Sequence, residues 1–455
     1  MSLDAFMTEE TSKTSLGDYP ISKVASNEWK SFAMYTVESR AIPNMIDGLK
    51  PVQRFYLYSS LINSKRDFKK VSAVAGIISD YGYNHGEASA AGAGQLMAAT
   101  WNNNICLVEG RGSFGTRLIQ EAGAARYVYT RLSENFEKYI HDIDLAPAHD
   151  DPEHEPPSFY VPVIPLVLAN GTKGIATGFA TNILPRSLES LSASVREYLS
   201  SGTIAKKLPV SFPEFKGKTV YNTVEERFNV FGKFKKLSKT VLQITEVPYG
   251  FDRETYVKIL DKLEEEGDIV SYDDLCDKSG FSFEVKLKQN TSANWNDAKI
   301  TQKFKLSKPL SENLTVIDYD GKLREYEDER ELIKDFCEYR IGILGKRIEL
   351  RKEESLEAAR WLNSKMQFIQ AVLDDKIVFK NKKKKDVIVQ MTSAHIALIH
   401  DDAERLLRIN FMSLTDEMVK DLARDIKVAE KQFKFWSKET PKNQFISDLN
   451  DMNIN

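Results

Sequence analysis

Residues 419–436, Val419-Lys420-Asp421-Leu422-Ala423-Arg424-Asp425-Ile426-Lys427-Val428-Ala429-Glu430-Lys431-Gln432-Phe433-Lys434-Phe435-Trp436, carry the clearest period in the chain. Val419, Leu422, Ile426, Ala429, Phe433 and Trp436 follow at steps of 3, 4, 3, 4 and 3, which lays all six along one seam of an α-helix. A single apolar seam needs a partner. Upstream, Ile341, Ile348, Leu362 and Ile369 recur at multiples of seven inside 331–373, with Ser355 in the gap, and neither glycine nor proline occurs from Lys346 to Lys438. The short runs Ile396–His400 and Ala403–Leu407 lie between the two periodic segments. The pattern predicts either an antiparallel coiled coil carrying a small helical head or an ordinary helical bundle. An apolar head would be a place for two copies to join.

Working back toward the N-terminus, the texture changes twice. From about Pro157 to Tyr326 short β-rich runs (Phe159–Ala169, Thr240–Val247, Phe281–Leu287) are interrupted by one helical stretch, Arg253–Glu266, which reads as α+β. From about Ser26 to His149 the chain is alanine-rich and helical in pattern, broken by glycine loops at Gly82–Gly86 and Gly110–Gly115, as in a helix-turn-helix module. At 455 residues, with 42% hydrophobic and 28% charged, the chain has the length of about three domains and enough apolar material for real cores.

Composition excludes several classes. The longest apolar stretch, Val161–Ala169, is nine residues with two prolines, far short of the roughly 20 needed to span a bilayer. Residues 1–20 carry Asp4, Glu9, Glu10 and Asp18 against Lys13, the opposite of a secretory leader. Cys106, Cys276 and Cys337 are too scattered for a disulfide framework or zinc site, so a reducing cytoplasm is expected. Net charge is −3, yet residues 40–70 hold Arg40, Lys50, Arg54, Lys65, Arg66, Lys69 and Lys70 against Asp47 and Asp67. Such a segment grips a polyanion or is a solvated surface stretch; charge alone leaves both open.

No GxxxxGK[ST] loop is present. Asp318 and Asp320 resemble a magnesium motif, but Asp320-Gly321 between alternating runs predicts a hairpin turn. The cluster His149, Asp150, Asp151, Glu153, His154 and Glu155 lies in a proline-bounded loop and reads as a solvated connector. No metal site is expected in this chain.

What remains is Ala124-Ala125-Arg126-Tyr127-Val128-Tyr129-Thr130-Arg131-Leu132 and its company. Upstream stand Ser39-Arg40-Ala41-Ile42-Pro43, Asp47-Gly48-Leu49-Lys50-Pro51-Val52-Gln53-Arg54, Tyr83-Asn84-His85-Gly86-Glu87 and Glu109-Gly110-Arg111-Gly112-Ser113-Phe114-Gly115-Thr116; downstream is Asn170-Gly171-Thr172-Lys173-Gly174-Ile175-Ala176-Thr177-Gly178-Phe179-Ala180-Thr181-Asn182. A phenol with a pKa near 10 is protonated at neutral pH and needs activation to attack a phosphodiester. A neighbouring Arg126 favours the phenolate and can hold a phosphate oxygen.

In order and spacing these segments resemble the breakage-reunion subunits of type IIA DNA topoisomerases, the gyrase A family, phage members included. The resemblance implies a multidomain α+β chain with four parts: an N-terminal arm (1–25), a winged-helix DNA-cleavage domain (26–156), a tower domain (157–328), and a coiled coil with a helical dimerisation head (329–455). It implies Tyr127 as the nucleophile that takes a 5′-phosphate, with Arg126 beside it. Arg40, Lys50, Arg54, His85, Lys69 and Lys70 are implied on the DNA, with Ile175 as the apolar wedge between base steps. Tyr129, two residues on, is read as packing. Gln53 and Tyr83 stand where bacterial members carry histidine, and Ala88 and Gly92 where quinolone-sensitive members carry a serine and an acid. The resemblance further implies a homodimer acting with a partner subunit that supplies the ATPase and the magnesium-holding TOPRIM acids. The expected activity is transient double-strand cleavage, duplex passage and religation during DNA replication. Without a wrapping domain after the coiled coil, relaxation and decatenation are expected over active supercoiling. A DNA-bridging architectural protein and a scaffold with an incidental basic patch are the rival readings.

Overall fold

The computed structural model describes residues 21–289, 292–398, 402–410 and 414–452. The arm expected over residues 1–25 lies outside these as far as residue 20, and so do the last two residues of the run expected at 396–400. Contacts divide the chain into two compact units, residues 1–339 with 449–455 and residues 340–448.

The first unit opens with a continuous helical segment α1 (21–41), in which α-type turns alternate with π-type turns at Ala25–Trp29 and Val37–Ala41. Next come α2 (Pro51–Asn63), α3 (Val71–Ile77) and α4 (Glu87–Ala98). The start of α2 is written in its sequence. Pro51 occupies the first turn, where no N–H is needed, and the Gln53 side chain accepts the Lys50 N–H at 2.9 Å. Just before it, Gly48 sits at φ +68°, and a Cβ there would fall 2.5 Å from the Val167 nitrogen, so only glycine fits.

Between these helices run β1 (Lys69–Lys70), β2 (Val108–Arg111) and β3 (Tyr129–Leu132), an antiparallel sheet in the order β1-β3-β2. Tyr129 therefore lies on a strand, not in the helical region its surroundings suggest. Thr130 and Leu132 point into the core while Tyr129 and Arg131 stay half-exposed, the period-2 pattern of a half-buried strand.

The run Phe159–Ala169 is also not the strand expected. It meets Ile140 at one isolated bridge through Pro162 and ends in a short helix, α5 (Leu166–Asn170), with every residue of the run buried. A run buried on all sides has no alternation, so periodicity cannot separate strand from helix. It is followed by the hairpin β4 (Thr172–Ile175) and β5 (Ala180–Ile183), and by α6 (Leu188–Ser201), capped by Ser187.

The middle zone is α+β. One three-stranded sheet joins β6 (Lys218–Asn222) and β7 (Arg227–Phe231) to a later edge strand; a four-stranded sheet contains β8 (Lys233–Lys236), β9 (Val241–Glu246), β10 (Ile269–Asp274) and β11 (Phe283–Leu287) in the order β10-β11-β9-β8. Alternate residues Leu242, Ile244, Phe283 and Val285 face α7 (Arg253–Glu265), which returns Tyr256, Leu260 and Leu263 to one core. The edge strand of the first sheet is β12 (Ser307–Leu310), and β13 (Leu314–Ile317) with β14 (Leu323–Tyr326) makes the expected hairpin. Asp318 serves that turn, accepting the N–H groups of Asp320 and Lys322 at 2.9 and 2.8 Å.

A single helix, α8 (Glu329–Leu373), leads from the first unit into the second. There α9 (Lys384–Ser393) and α10 (Asp402–Leu407) form a head, and α11 (Asp416–Trp436) and α12 (Pro441–Asp451) follow. Along α11 the six seam residues are buried or half-buried while most of their neighbours are exposed. Met418, Val419 and Leu422 pack with Phe368 and Ile369 near the end of α8, and Asp448 on α12 bridges to Arg340 and Arg347 near the beginning of the second unit, at 2.5 and 2.8 Å. The chain thus runs out along α8 and back along α11, antiparallel. No described helix is long and apolar enough to cross a membrane.

Candidate nucleic-acid cleavage site

Tyr127 is 69% exposed and closes a turn in which its N–H donates to the Ala124 carbonyl at 2.8 Å. The first turn of α3 holds that turn in place. The first N–H groups of a helix have no intrahelical partner; here Val71 N–H donates to the Val128 carbonyl at 3.0 Å and Ser72 N–H to the Ala125 carbonyl at 3.2 Å. Val128 is buried against Gly112 and Gly123. The phenol is thus presented to solvent from a main chain fixed on both sides. The Arg126 guanidinium carbon stands 5.0 Å from the centre of the Tyr127 ring, and both side chains are exposed.

Tyr129 is differently placed. It pairs with Lys70 on β1 and Arg111 on β2, and its ring lies 4.9 Å from the Arg111 guanidinium, which also stacks on Phe68 at 5.1 Å. Lys69 and Lys70 are exposed on the edge strand, opposite Thr130 and Tyr129. Arg126 thus stands beside Tyr127, and the strand that follows it is flanked by Lys69, Lys70 and Arg111. Sequence reading does not single out Arg111; only the strand register, invisible in one sequence, puts it across from Tyr129.

A second group forms at the root of the β4–β5 hairpin. Lys50 donates to the Lys173 carbonyl at 2.7 Å, and burial pulls its ammonium below the ordinary lysine value. A Cβ on Gly174 would lie 1.9 Å from the Ala41 carbonyl, so the hairpin meets α1 where only glycine fits. Beyond this pinned root Ile175 is 89% exposed and takes no part in a core. Arg40, exposed on α1, lies 3.2 Å from Nδ1 of His85, whose Nε2 is 2.7 Å from the Tyr35 hydroxyl. Burial first, and Arg40 second, hold the His85 imidazole below its ordinary pKa.

Arg54 is a correction. Its side chain is 8% exposed, its Nε donates to Asp47 at 2.7 Å and its Nη2 to the Leu49 carbonyl at 2.7 Å, while Asp47 also takes the Tyr160 N–H at 3.0 Å. A guanidinium committed to a buried carboxylate and a carbonyl braces the 47–54 loop and is too deep to reach DNA. Lys65 is likewise engaged, with Glu137 at 2.8 Å, though both ends are solvated. The positions that carry histidine in bacterial members have packing roles here: Gln53 caps α2, and Tyr83 is buried between Phe55 and His85. Ala88 and Gly92 are exposed on α4.

The 149–155 loop carries a His149–His154 contact at 3.3 Å, with His154 packed on Phe55. Among the described residues no three His, Cys, Asp or Glu side chains converge as metal ligands.

Comparison with known proteins places these features. Residues 40–454 match the family of the DNA gyrase/topoisomerase IV A subunits. The chain is 41% identical over 445 residues to the DNA topoisomerase medium subunit of Enterobacteria phage T4, covering 96% of this chain and 99% of that one. It is 29% identical over 404 residues to DNA topoisomerase 2 of Candida glabrata, covering 83% of this chain but 28% of the yeast protein. The crystal structure of the Plasmodium falciparum topoisomerase II DNA-binding, cleavage and re-ligation domain superposes with a TM-score of 0.85 at 26% identity, over 93% of this chain and 63% of that one. The chain spans nearly all of the phage protein but only about a quarter of the yeast enzyme.

Proposed function

Because the chain belongs to the family of DNA gyrase/topoisomerase IV A subunits and forms part of a type II DNA topoisomerase, we propose that it cuts and rejoins duplex DNA through Tyr127. The observation that carries this reading is the exposed phenol on a turn braced from α3, beside Arg126. The Tyr127 oxygen gives up its proton and attacks a backbone phosphorus; a phosphotyrosyl ester forms at the 5′-phosphate, and the 3′-oxygen leaves with a proton. One ester replaces another, so the step is nearly isoenergetic and reversible without nucleotide. Arg126 stabilises the developing phenolate and the phosphate oxygens. Lys69, Lys70 and Arg111 line the backbone beside the phenol. Arg40, Lys50 and His85 act near the hairpin root, and Ile175 enters between base steps at a cost of a few kcal/mol of stacking, recovered by the contacts of bent DNA.

The finer architecture follows the same reading. Residues 26–156 form a winged-helix cleavage domain with β2 and β3 as its wing, 157–328 a tower, and 329–455 a coiled coil whose head joins two copies. Two tyrosines then cut opposite strands, and a second duplex passes through the break, relaxing supercoils and decatenating DNA during replication. A partner subunit supplies the ATP site and the magnesium-holding acids, and the assembly works in the cytoplasm, the host's if the chain is phage-encoded.

The test is covalent trapping. The purified chain with its partner, quenched by detergent on supercoiled DNA, is expected to yield a protein-linked 5′ end. Tyr127→Phe abolishes the adduct and strand passage while duplex binding stays within about twofold, since only the nucleophilic oxygen is lost. Tyr129→Phe keeps the adduct. The reverse pattern moves the nucleophile to Tyr129, and no adduct in any form leaves a DNA-bridging protein.

A further inference from the structure

Tyr35, His85 and Arg40 form a hydrogen-bonded chain whose direction follows from elementary donor chemistry. A guanidinium only donates, so Nδ1 of His85, 3.2 Å from Arg40 Nη2, is the accepting nitrogen without hydrogen. The single imidazole hydrogen is then on Nε2, and it donates to the Tyr35 oxygen 2.7 Å away. With its oxygen engaged as acceptor, Tyr35 keeps its own O–H for a partner outside the chain, and the residue is 37% exposed. Tyr83 closes edge-on against the His85 ring at 5.2 Å and limits its rotation. Arg40, Tyr35 and Tyr83 are the titratable or charged groups shown against this imidazole.

The helix that carries both ends of the chain is built for it. Residues five apart in a regular α-helix stand about 140° apart at 100° per residue, which would turn Tyr35 away from Arg40. The π-type turns of Val37–Ala41 step from i to i+5, which brings the two residues toward one face and onto the same imidazole.

We propose that Tyr35 is a further DNA-contacting residue: its phenolic O–H, oriented by Arg40 through His85, donates to a phosphodiester oxygen of the cleaved duplex, and His85 is a neutral positioning residue. This deepens the proposed function and rests on it for the identity of the ligand. A neutral donor adds orientation without releasing a counterion. It therefore leaves a signature distinct from that of a lysine or arginine.

Fluorescence anisotropy on duplex DNA with the full chain, at fixed ionic strength, reads this out. Tyr35→Phe is expected to weaken binding about fivefold at pH 7.5, the size of one neutral hydrogen bond, with an unchanged slope of log affinity against log salt. His85→Ala should lose the same amount, and the double variant no more than the worse single, since both break one chain. His85→Gln, unable to take a charge, serves as the control for the pH arm. In the unsubstituted chain affinity is expected to stay level or fall from pH 7.5 to 6. A Tyr35→Phe protein that binds like the parent, additive losses, or an affinity that rises on acidification and stops rising in His85→Gln would each overturn the proposal; the last would make His85 a cationic phosphate contact. The covalent adduct at Tyr127 persists in Tyr35→Phe, so failure here and failure of the cleavage reading are separately visible.

Discussion

Two tyrosines two positions apart, Tyr127 and Tyr129, have opposite fates because a strand begins between them. Tyr127 is left on the turn; Tyr129 is held in register between Lys70 and Arg111 and stacked under a guanidinium. Arg111→Gln should therefore act twice. Losing the stacked cation costs about 0.5–1 kcal/mol of stability, seen as a small drop in the denaturant midpoint. Losing a phosphate contact lowers the salt slope of duplex binding by about 1. An unchanged slope would take Arg111 off the DNA. The histidines give a second expectation. Burial holds His85 and His149 below the ordinary imidazole pKa, so the fold favours their neutral form. The unfolded chain takes up those protons first, near pH 6.5. Their contribution to stability is present above that pH and is lost as pH falls through their lower folded values; denaturant melts of the parent and of His85→Gln with His149→Gln should converge at low pH.

At the scale of elements, the β4–β5 hairpin and the 47–54 loop answer differently to substitution. Ile175→Ala removes a side chain that is 89% exposed, so thermal stability should hold within about 0.5 kcal/mol while bending of the cleaved duplex, followed by end-to-end energy transfer, decreases. Asp47→Ala strands the Arg54 guanidinium in the interior and is expected to cost about 3–5 kcal/mol, measured by urea unfolding. The contrast also explains what the sequence could reveal. The α11 seam, the β13–β14 turn, β9, β11 and α7 were legible because period, turn chemistry and length agree there. The strand β3 was not: four residues in alanine-rich surroundings offer too short a pattern, and its partners lie far away in sequence. The 159–169 run is unreadable for a different reason, since uniform burial erases any period. Arg54 looked like every other cation in a basic segment. Its burial depends on Asp47 and on the Tyr160 N–H, more than a hundred residues away.

For the molecule as a whole, a net charge of −3 conceals the segregation that matters. Arg40, Arg66, Lys69, Lys70, Arg111 and Arg126 are exposed in the first unit, whereas Arg54 is neutralised inside it. Duplex binding should weaken steeply between about 50 and 200 mM salt. A flat response would count against backbone contacts. In the second unit α8 and α11 are tied together at the head by Phe368, Ile369, Val419 and Leu422, and toward the other end the Asp448 bridges tie α8 to α12. If the head joins two copies, light scattering should report a dimer of the full chain at micromolar concentration without DNA or partner. A monomer would remove the gate from the proposed mechanism.

The tethers that place Tyr127 run from main chain to main chain: Val71 to Val128, Ser72 to Ala125, Tyr127 to Ala124. Such bonds are indifferent to which side chains the tethered residues bear. Heredity is thereby given wide latitude at Ala124, Ala125 and Ser72, where the address of the Tyr127 phenol is written in the backbone. It has almost none at Gly112, whose φ of +121° admits little else and whose space is filled by Val128. Lineages can drift around the phenol, recolouring its neighbourhood for new duplex sequences or inhibitors, without ever moving its oxygen.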